Sequence, residues 1–265
     1  MYRLLIVTKD SQIESMFASM ENWEAMGYKA PRIRSSAEDA IACMKKHHVD
    51  AIAVGNDAEF EPVLRYLDEK EAHMPIFQIK DSPEEQMVVL AEVYQLLTQI
   101  HSDHCNDDYG ESYYFQMARE RWMKTVLSGL ALTREDILAH HKLYRCTESV
   151  TQPCIFTRLT VPSGDVFLAG RWHYGKDRLE VALRNFFGIE HEKMTVHIAV
   201  VAPEEVRVLV FPKPEHYDSA TFSAEHVLGY IEETIDTIEE YLGLKMNVID
   251  VRGMENLTAF AAKKE

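Results

Sequence analysis

Short apolar runs alternate with helical stripes through the first hundred residues. Leu4–Val7 is a β-rich apolar run. Ile13, Phe17, Met20 and Trp23 then recur at helical spacing, and Gly27 is the expected stop. Residues 30–34 read as a weak second strand. Ser36 is placed to cap a helix over residues 37–48, with Ala40, Ile41 and Met44 facing inward. Residues 50–54 (DAIAV) form an unbroken small apolar strand, residues 62–67 fall on a third helix, and residues 75–79 (PIFQI) make a fourth strand. Ser82, Pro83, Glu84 and Glu85 then supply a cap, a first-turn proline and two acids at the positive end of a long helix reaching about Ile100. This order predicts α/β architecture: a doubly wound parallel sheet with helices on both faces. Parallel strands buried on both faces are apolar throughout rather than alternating, and these runs are of that kind.

The pattern changes after the polar stretch HSDHCNDDYG, which holds no aliphatic side chain and ends in glycine. This places one domain at residues 1–101, a linker at 102–110 and a second domain at 111–265. The second domain opens with a long helix over 112–130. Thr133 with Asp136 three residues on is a capping-box variant that starts a short helix over 135–143. A strand over 154–161, a helix over 177–187 ending at Gly188, and two strands over 196–201 and 206–211 follow. The last pair is split by Ala202, Pro203, Glu204 and Glu205, a hairpin signal. Val227, Ile231, Ile235, Ile238 and Leu242 form one stripe of a helix over 223–242, capped by Gly243 and followed by a strand over 246–251. The expectation is an α+β domain with a mainly antiparallel sheet.

The chain has 265 residues, 46% hydrophobic and 27% charged, a globular mixture. Its formal net charge is −15, and Lys and Arg never run beyond two in a row. Nucleic-acid surfaces need clustered cations to displace phosphate counterions, so no direct nucleic-acid contact is expected of these residues. Cys43, Cys105, Cys146 and Cys154 include no C-x-x-C pair and read as reduced thiols. The amino terminus, MYRLLIVTKD, reaches acidic residues too soon for a signal peptide. No apolar run approaches the ~18 residues of a membrane span. A cytoplasmic protein with no membrane contact is expected.

Candidate chemistry is sparse. His101, Asp103, His104, Cys105, Asp107 and Asp108 gather metal-capable side chains in a short stretch, but no distant partner motif fixes their geometry, so a solvated linker is the reading adopted. His191, Glu192 and His197 lack zincin spacing, and no Walker A, G-x-S-x-G or G-x-G-x-x-G sequence occurs. Arg171, Trp172, His173 and Tyr174 could line a pocket, although aromatic clusters more often pack in a core.

The first domain resembles a two-component receiver domain. RLLIVTKD is similar to that family's first strand, VDAIAVGND to its third and MPIFQIKD to its fourth. No counterpart of the fifth strand precedes the linker. A receiver needs carboxylates around Mg²⁺ and an aspartate nucleophile. The resemblance places Thr8 and Lys9 on the acidic-pair positions, leaving only Asp10. It places Gly55 on the nucleophile, with Asn56 and Asp57 beyond it, and Lys80 on the Thr/Ser position. It therefore implies a pseudo-receiver without a phosphoacceptor.

The second domain resembles the divergent GGDEF-like domain of Gram-positive regulators, which sits between receiver and AraC-type DNA-binding domains. ERWMKTVLSGLALTREDILAHHKLY, CIFTRLTV, HIAVVAPEEVRVLVFP and EETIDTIEEYLGLKMNVIDV carry the resemblance. Pro203, Glu204, Glu205, Val206 and Arg207 replace the signature turn, and Thr157, Arg158 and Thr160 stand where a metal-binding Asp belongs. Glu204 and Glu205 are expected to be a solvated turn. The resemblance implies lost cyclase chemistry, and no enzyme activity, metal or cofactor is expected. The expected role is a non-catalytic signal-transduction module acting through dimerisation or a protein partner, with Tyr114, Trp122 and Val126 of the long helix at the dimer contact. Two alternatives stay open: the regulatory part of an AraC-type transcription factor, and a small-molecule sensor.

Overall fold

The computed structural model describes residues 1–101, 111–130, 132–188, 191, 193–216 and 222–262. The chain is mixed α/β, with one three-stranded parallel sheet and one four-stranded antiparallel sheet. The described residues form two compact units, one within Met1–Arg119 and Ala139–Cys146, the other within Glu120–Leu138 and Thr147–Glu265. The expected linker at 102–110 lies outside the described residues, together with Asp103, His104, Cys105, Asp107 and Asp108.

In the first unit β1 (Leu4–Val7) lies between β2 (Arg32–Arg34) and β3 (Ala51–Val54), both parallel to it. All four residues of β1 and of β3 are buried, as a sheet covered on both faces requires. Leu4, Ile6, Ala51 and Ala53 pack with Phe17 of α1 (Ser11–Ser19) and with Leu90, Val93 and Leu97 of α4 (Pro83–His101). Leu5, Val7, Ile52 and Val54 pack with Ala40 and Cys43 of α2 (Ala37–Lys46) and with Val63 and Leu67 of α3 (Glu61–Lys70). The period-two alternation of each strand thus feeds two cores. Ser36 caps α2 by accepting the Asp39 amide at 3.1 Å, as its position predicts.

Two expectations fail in this unit. The fourth strand is reduced to a single parallel bridge between Ile76 and Ile52, held by Ile52 N to Pro75 O at 3.0 Å and Phe77 N to Ile52 O at 2.9 Å. The first helix ends at Ser19 rather than at Gly27. Asn22 takes a positive φ and turns the chain so that Trp23 stacks on Phe17, with ring centroids 6.3 Å apart.

α5 (Glu111–Leu127) and α6 (Arg134–Leu143) contribute residues to both units, because Phe115, Ala118 and Leu143 belong to the first unit's core. The expected capping box at α6 is complete. The Thr133 amide donates to Asp136 Oδ2 at 2.9 Å, and the Asp136 amide donates to Thr133 Oγ1 at 3.0 Å.

The second unit's sheet has the order β5 (Met194–Ala202), β6 (Glu205–Pro212), β4 (Cys154–Thr160) and β7 (Asn247–Met254), all antiparallel. α7 (Gly164–Gly170), absent from the sequence expectation, and α8 (Lys176–Phe187) separate β4 from β5, and α9 (Ala224–Leu242) separates β6 from β7. One sheet face, with Ile155, Leu159, Val196, Ile198, Val206 and Val208, packs on Leu179 and Leu183 of α8 and on Val227, Ile231 and Ile238 of α9. On the opposite face Cys154, Phe156, Leu209 and Phe211 are also buried, and burial pushes the Cys154 thiol up to about 12.

Thr157 alternates with Ile155 and Leu159, so it lies on the helix-covered face. It is buried, and its Oγ1 has no hydrogen-bond partner among the described residues. An unpaired buried hydroxyl is destabilising, whereas a methyl of the same shape is not. Thr157→Val is therefore expected to raise unfolding stability by about 1 kcal/mol in urea denaturation. A loss of stability would mean that the hydroxyl has a partner.

Candidate functional site

Open parallel sheets bind ligands beyond the carboxyl ends of their strands, where the strand order reverses. Here the order reverses at β1, which has β2 on one side and β3 on the other, so the corresponding position lies beyond the carboxyl ends of β1 and β3. Four of the five sequence-predicted positions, Thr8, Lys9, Asp10 and Gly55, meet at this edge. Thr8 is buried; its amide donates to Arg34 O at 3.0 Å, and its Oγ1 accepts the Asp10 amide at 3.1 Å. Asp10 is the α1 cap and accepts the Gln12 amide at 2.8 Å. Lys9 forms an ion pair with Glu59, with both side chains about half exposed.

The Gly55 amide donates to Val7 O at 2.8 Å. A Cβ at Gly55 would sit 3.2 Å from Phe60 Cε2 and 3.3 Å from Val7 O, so even a small side chain would crowd this turn. Asp57 is exposed and starts a short 3₁₀ turn without capping it through its side chain. Lys80, the fifth position, follows the bridged segment. Its amide donates at 2.8 Å to Oε1 of Gln86, a side chain buried in α4. At this edge, among the described residues, no three carboxylate, imidazole or thiolate ligand atoms lie within 4.8 Å of one another. Hard divalent cations need several oxygen ligands at once, and at this edge the Lys9 ammonium is paired with Glu59, Asp10 caps α1 and position 55 is a glycine.

In the second unit Pro203 and Glu204 alone join β5 to β6, with Ala202 paired to Glu205. The Val161 amide donates to Glu204 O at 2.8 Å. Gly164 packs so closely beneath the turn that a Cβ there would lie 1.9 Å from Pro203 O, which requires glycine at this position.

Glu204 is exposed, as expected of a solvated turn, but Glu205 is not solvated in that way. It is the first residue of β6, and its carboxylate accepts Arg158 Nε at 3.1 Å, Arg158 Nη2 at 3.2 Å and Arg207 Nε at 2.7 Å. Arg207 Nη1 also donates to Leu127 O at 2.6 Å. The Arg158 hydrogen bonds, followed by those of Arg207, hold the Glu205 carboxyl below its ordinary range. Val206 is buried in the helix-side core.

The residues assigned to a dimer contact sit differently from the expectation. Trp122 is 5% exposed and Val126 is 1% exposed within the single chain, and Tyr114 is half-buried. Trp122 and Val126 are thus already covered within the chain, and their assignment to a partner surface does not hold. Of the aromatic cluster, Trp172 stacks on Phe167 with centroids 6.3 Å apart while Tyr174 stays exposed.

Sequence reasoning missed Glu59 as the partner of Lys9, and missed the Arg158–Glu205–Arg207 cluster. Only the register of β4 on β6, a pairing between strands distant in sequence that sets Arg158 directly opposite Arg207, could have revealed the cluster. No family model matches this sequence, and no curated protein matches it.

The Glu205 ion pairs make stability depend on pH in a defined direction. A carboxyl whose pKa is depressed by folding adds stability above its unfolded pKa, and this is lost as pH falls through the folded value. Glu205→Gln should therefore be less stable than the wild type near neutrality, by about 1 kcal/mol given the solvent access of the group. The gap should close as acid protonates Glu205. Denaturation midpoints across pH will check this, and a gap independent of pH would contradict it.

Proposed function

We propose that the chain is a non-catalytic signal-transduction module, a pseudo-receiver followed by a divergent GGDEF-like domain, which works in the cytoplasm through contacts with itself or with a protein partner. The observation that carries this reading is the carboxyl edge of the parallel sheet, with Gly55 and the Lys9–Glu59 ion pair in place of a nucleophile and a carboxylate cluster. Phosphoryl transfer to a side chain needs a nucleophilic oxygen beside a metal that neutralises the charge on the phosphoryl group. Gly55 offers no such oxygen.

Further support comes from the strand orders β2-β1-β3, with Ile76 bridged to the outer side of β3, and β5-β6-β4-β7. Both accord with the two resemblances. The guanidiniums on Glu205 likewise leave the hairpin carboxylate engaged within the protein rather than directed at a nucleotide-bound cation. No helix among the described residues is long and apolar enough to cross a membrane.

Incubation of the protein with acetyl phosphate and Mg²⁺ should leave its intact mass unchanged. A gain of one phosphoryl group that disappears in Asp57→Asn would overturn the reading, because Asp57 is the nearest aspartate beyond Gly55 in the chain.

A further inference from the structure

On the face of the second unit's sheet away from α8 and α9, a cleft of about 410 Å³ is lined by Phe156, Arg158, Arg207, Arg252, Met254 and Phe260. Its position follows from strand register. Arg158 of β4 stands opposite Arg207 of β6 on one side and Asp250 of β7 on the other, while Phe156 stands opposite Arg252. Phe260, on the short 3₁₀ turn after β7, meets Phe156 edge-on with centroids 5.3 Å apart. The Arg252 guanidinium lies 5.3 Å from the Phe156 ring centroid and pairs with Asp250 at 2.6 Å.

We propose that this cleft binds a small planar organic oxyanion, a carboxylate or phosphate carried on an aromatic ring. Three guanidiniums face two carboxylates, Glu205 and Asp250, which leaves one positive charge uncompensated on a chain whose net charge is −15. Like charges directly opposite in a sheet are destabilising. Glu205 bridges this pair and offsets part of the repulsion, and an incoming anion would offset the positive charge that remains.

The guanidiniums also keep donors in reserve. Glu205 takes Nε and Nη2 of Arg158 and Nε of Arg207, while Leu127 O takes Nη1 of Arg207. Arg158 Nη1, Arg207 Nη2 and the Nε and Nη1 of Arg252 make no hydrogen bond to a described residue. Planar forks of this kind match the oxygens of a carboxylate or phosphate. The Phe260 ring supplies flat apolar surface for an aromatic body, and the guanidinium planes can stack on its face. This inference stands on the cleft's own geometry and does not depend on the signalling role proposed above.

The full chain, with ¹⁵N-labelled arginine side chains, should be titrated by NMR with salicylate and, separately, with phenyl phosphate, using neutral salicylamide as the control. At least one oxyanion should shift the Nε–H signals of Arg158, Arg207 and Arg252 saturably, and salicylamide should shift none. Response to salicylate alone assigns a carboxylate ligand, and response to phenyl phosphate alone assigns a phosphate. Arg252 is exposed, so Arg252→Gln should fold normally and weaken binding about tenfold; Arg252→Lys, which keeps the charge but loses the fork, should weaken it as well. The proposal is overturned if neither anion shifts these signals, if salicylamide binds equally well, or if Arg252→Gln and Arg158→Gln both bind like the wild type.

Discussion

The carboxylate of Glu205, shared between Arg158 and Arg207, is the interaction on which the exposed chemistry of the antiparallel sheet depends. The register of β4 on β6 puts the two guanidiniums face to face, an arrangement tolerated only with a counter-charge between them. Glu205 supplies that charge from the first position of β6, immediately after the hairpin turn. The turn therefore cannot direct this acid outward, and Arg207 is left to bond the end of α5 through Leu127 O. Placing the third arginine, Arg252, beside this pair then produces a cleft with surplus positive charge on an otherwise acidic chain.

The first unit disposes of charge in a comparable way at the carboxyl edge of its sheet. Lys9 pairs with Glu59, Asp10 caps α1, and the Gly55 amide closes onto Val7 O. Each group is engaged in holding a turn. The shared feature is that the acids at both places, Asp10 and Glu59 in one and Glu205 in the other, are engaged within the protein, and the proposed loss of catalytic function rests on it. A module of this kind would have to signal through its surfaces.

Much of the fold was legible in the sequence because its strongest signals are local. The apolar run Leu4–Val7, the Ser36 cap and the Thr133–Asp136 capping box depend on neighbours in the chain and emerge where expected. Elements governed by distant contacts were less legible. The segment around Ile76 has strand composition but finds only one bridge on β3, and α1 stops early because Asn22 turns Trp23 back onto Phe17. The periodicity of α5 correctly showed apolar residues on more than one face, but periodicity does not say what covers a face, and the chain itself buries Trp122 and Val126. The candidate edge of the first unit was legible because its residues follow strand ends. The arginine cleft was not, since Arg158, Arg207 and Arg252 lie far apart in sequence and meet only through strand register.

Paramagnetic relaxation tests the central claim of internal neutralisation most directly. Mn²⁺ broadens amide signals near any cluster of oxygen ligands that can hold a divalent cation. On titration of the full chain, residues 8–10, 55–57 and 203–207 should broaden no more than other exposed acidic positions. Selective broadening at either place, at Mn²⁺ levels that leave the remaining surface unaffected, would contradict the account and restore a metal-dependent chemistry to that site.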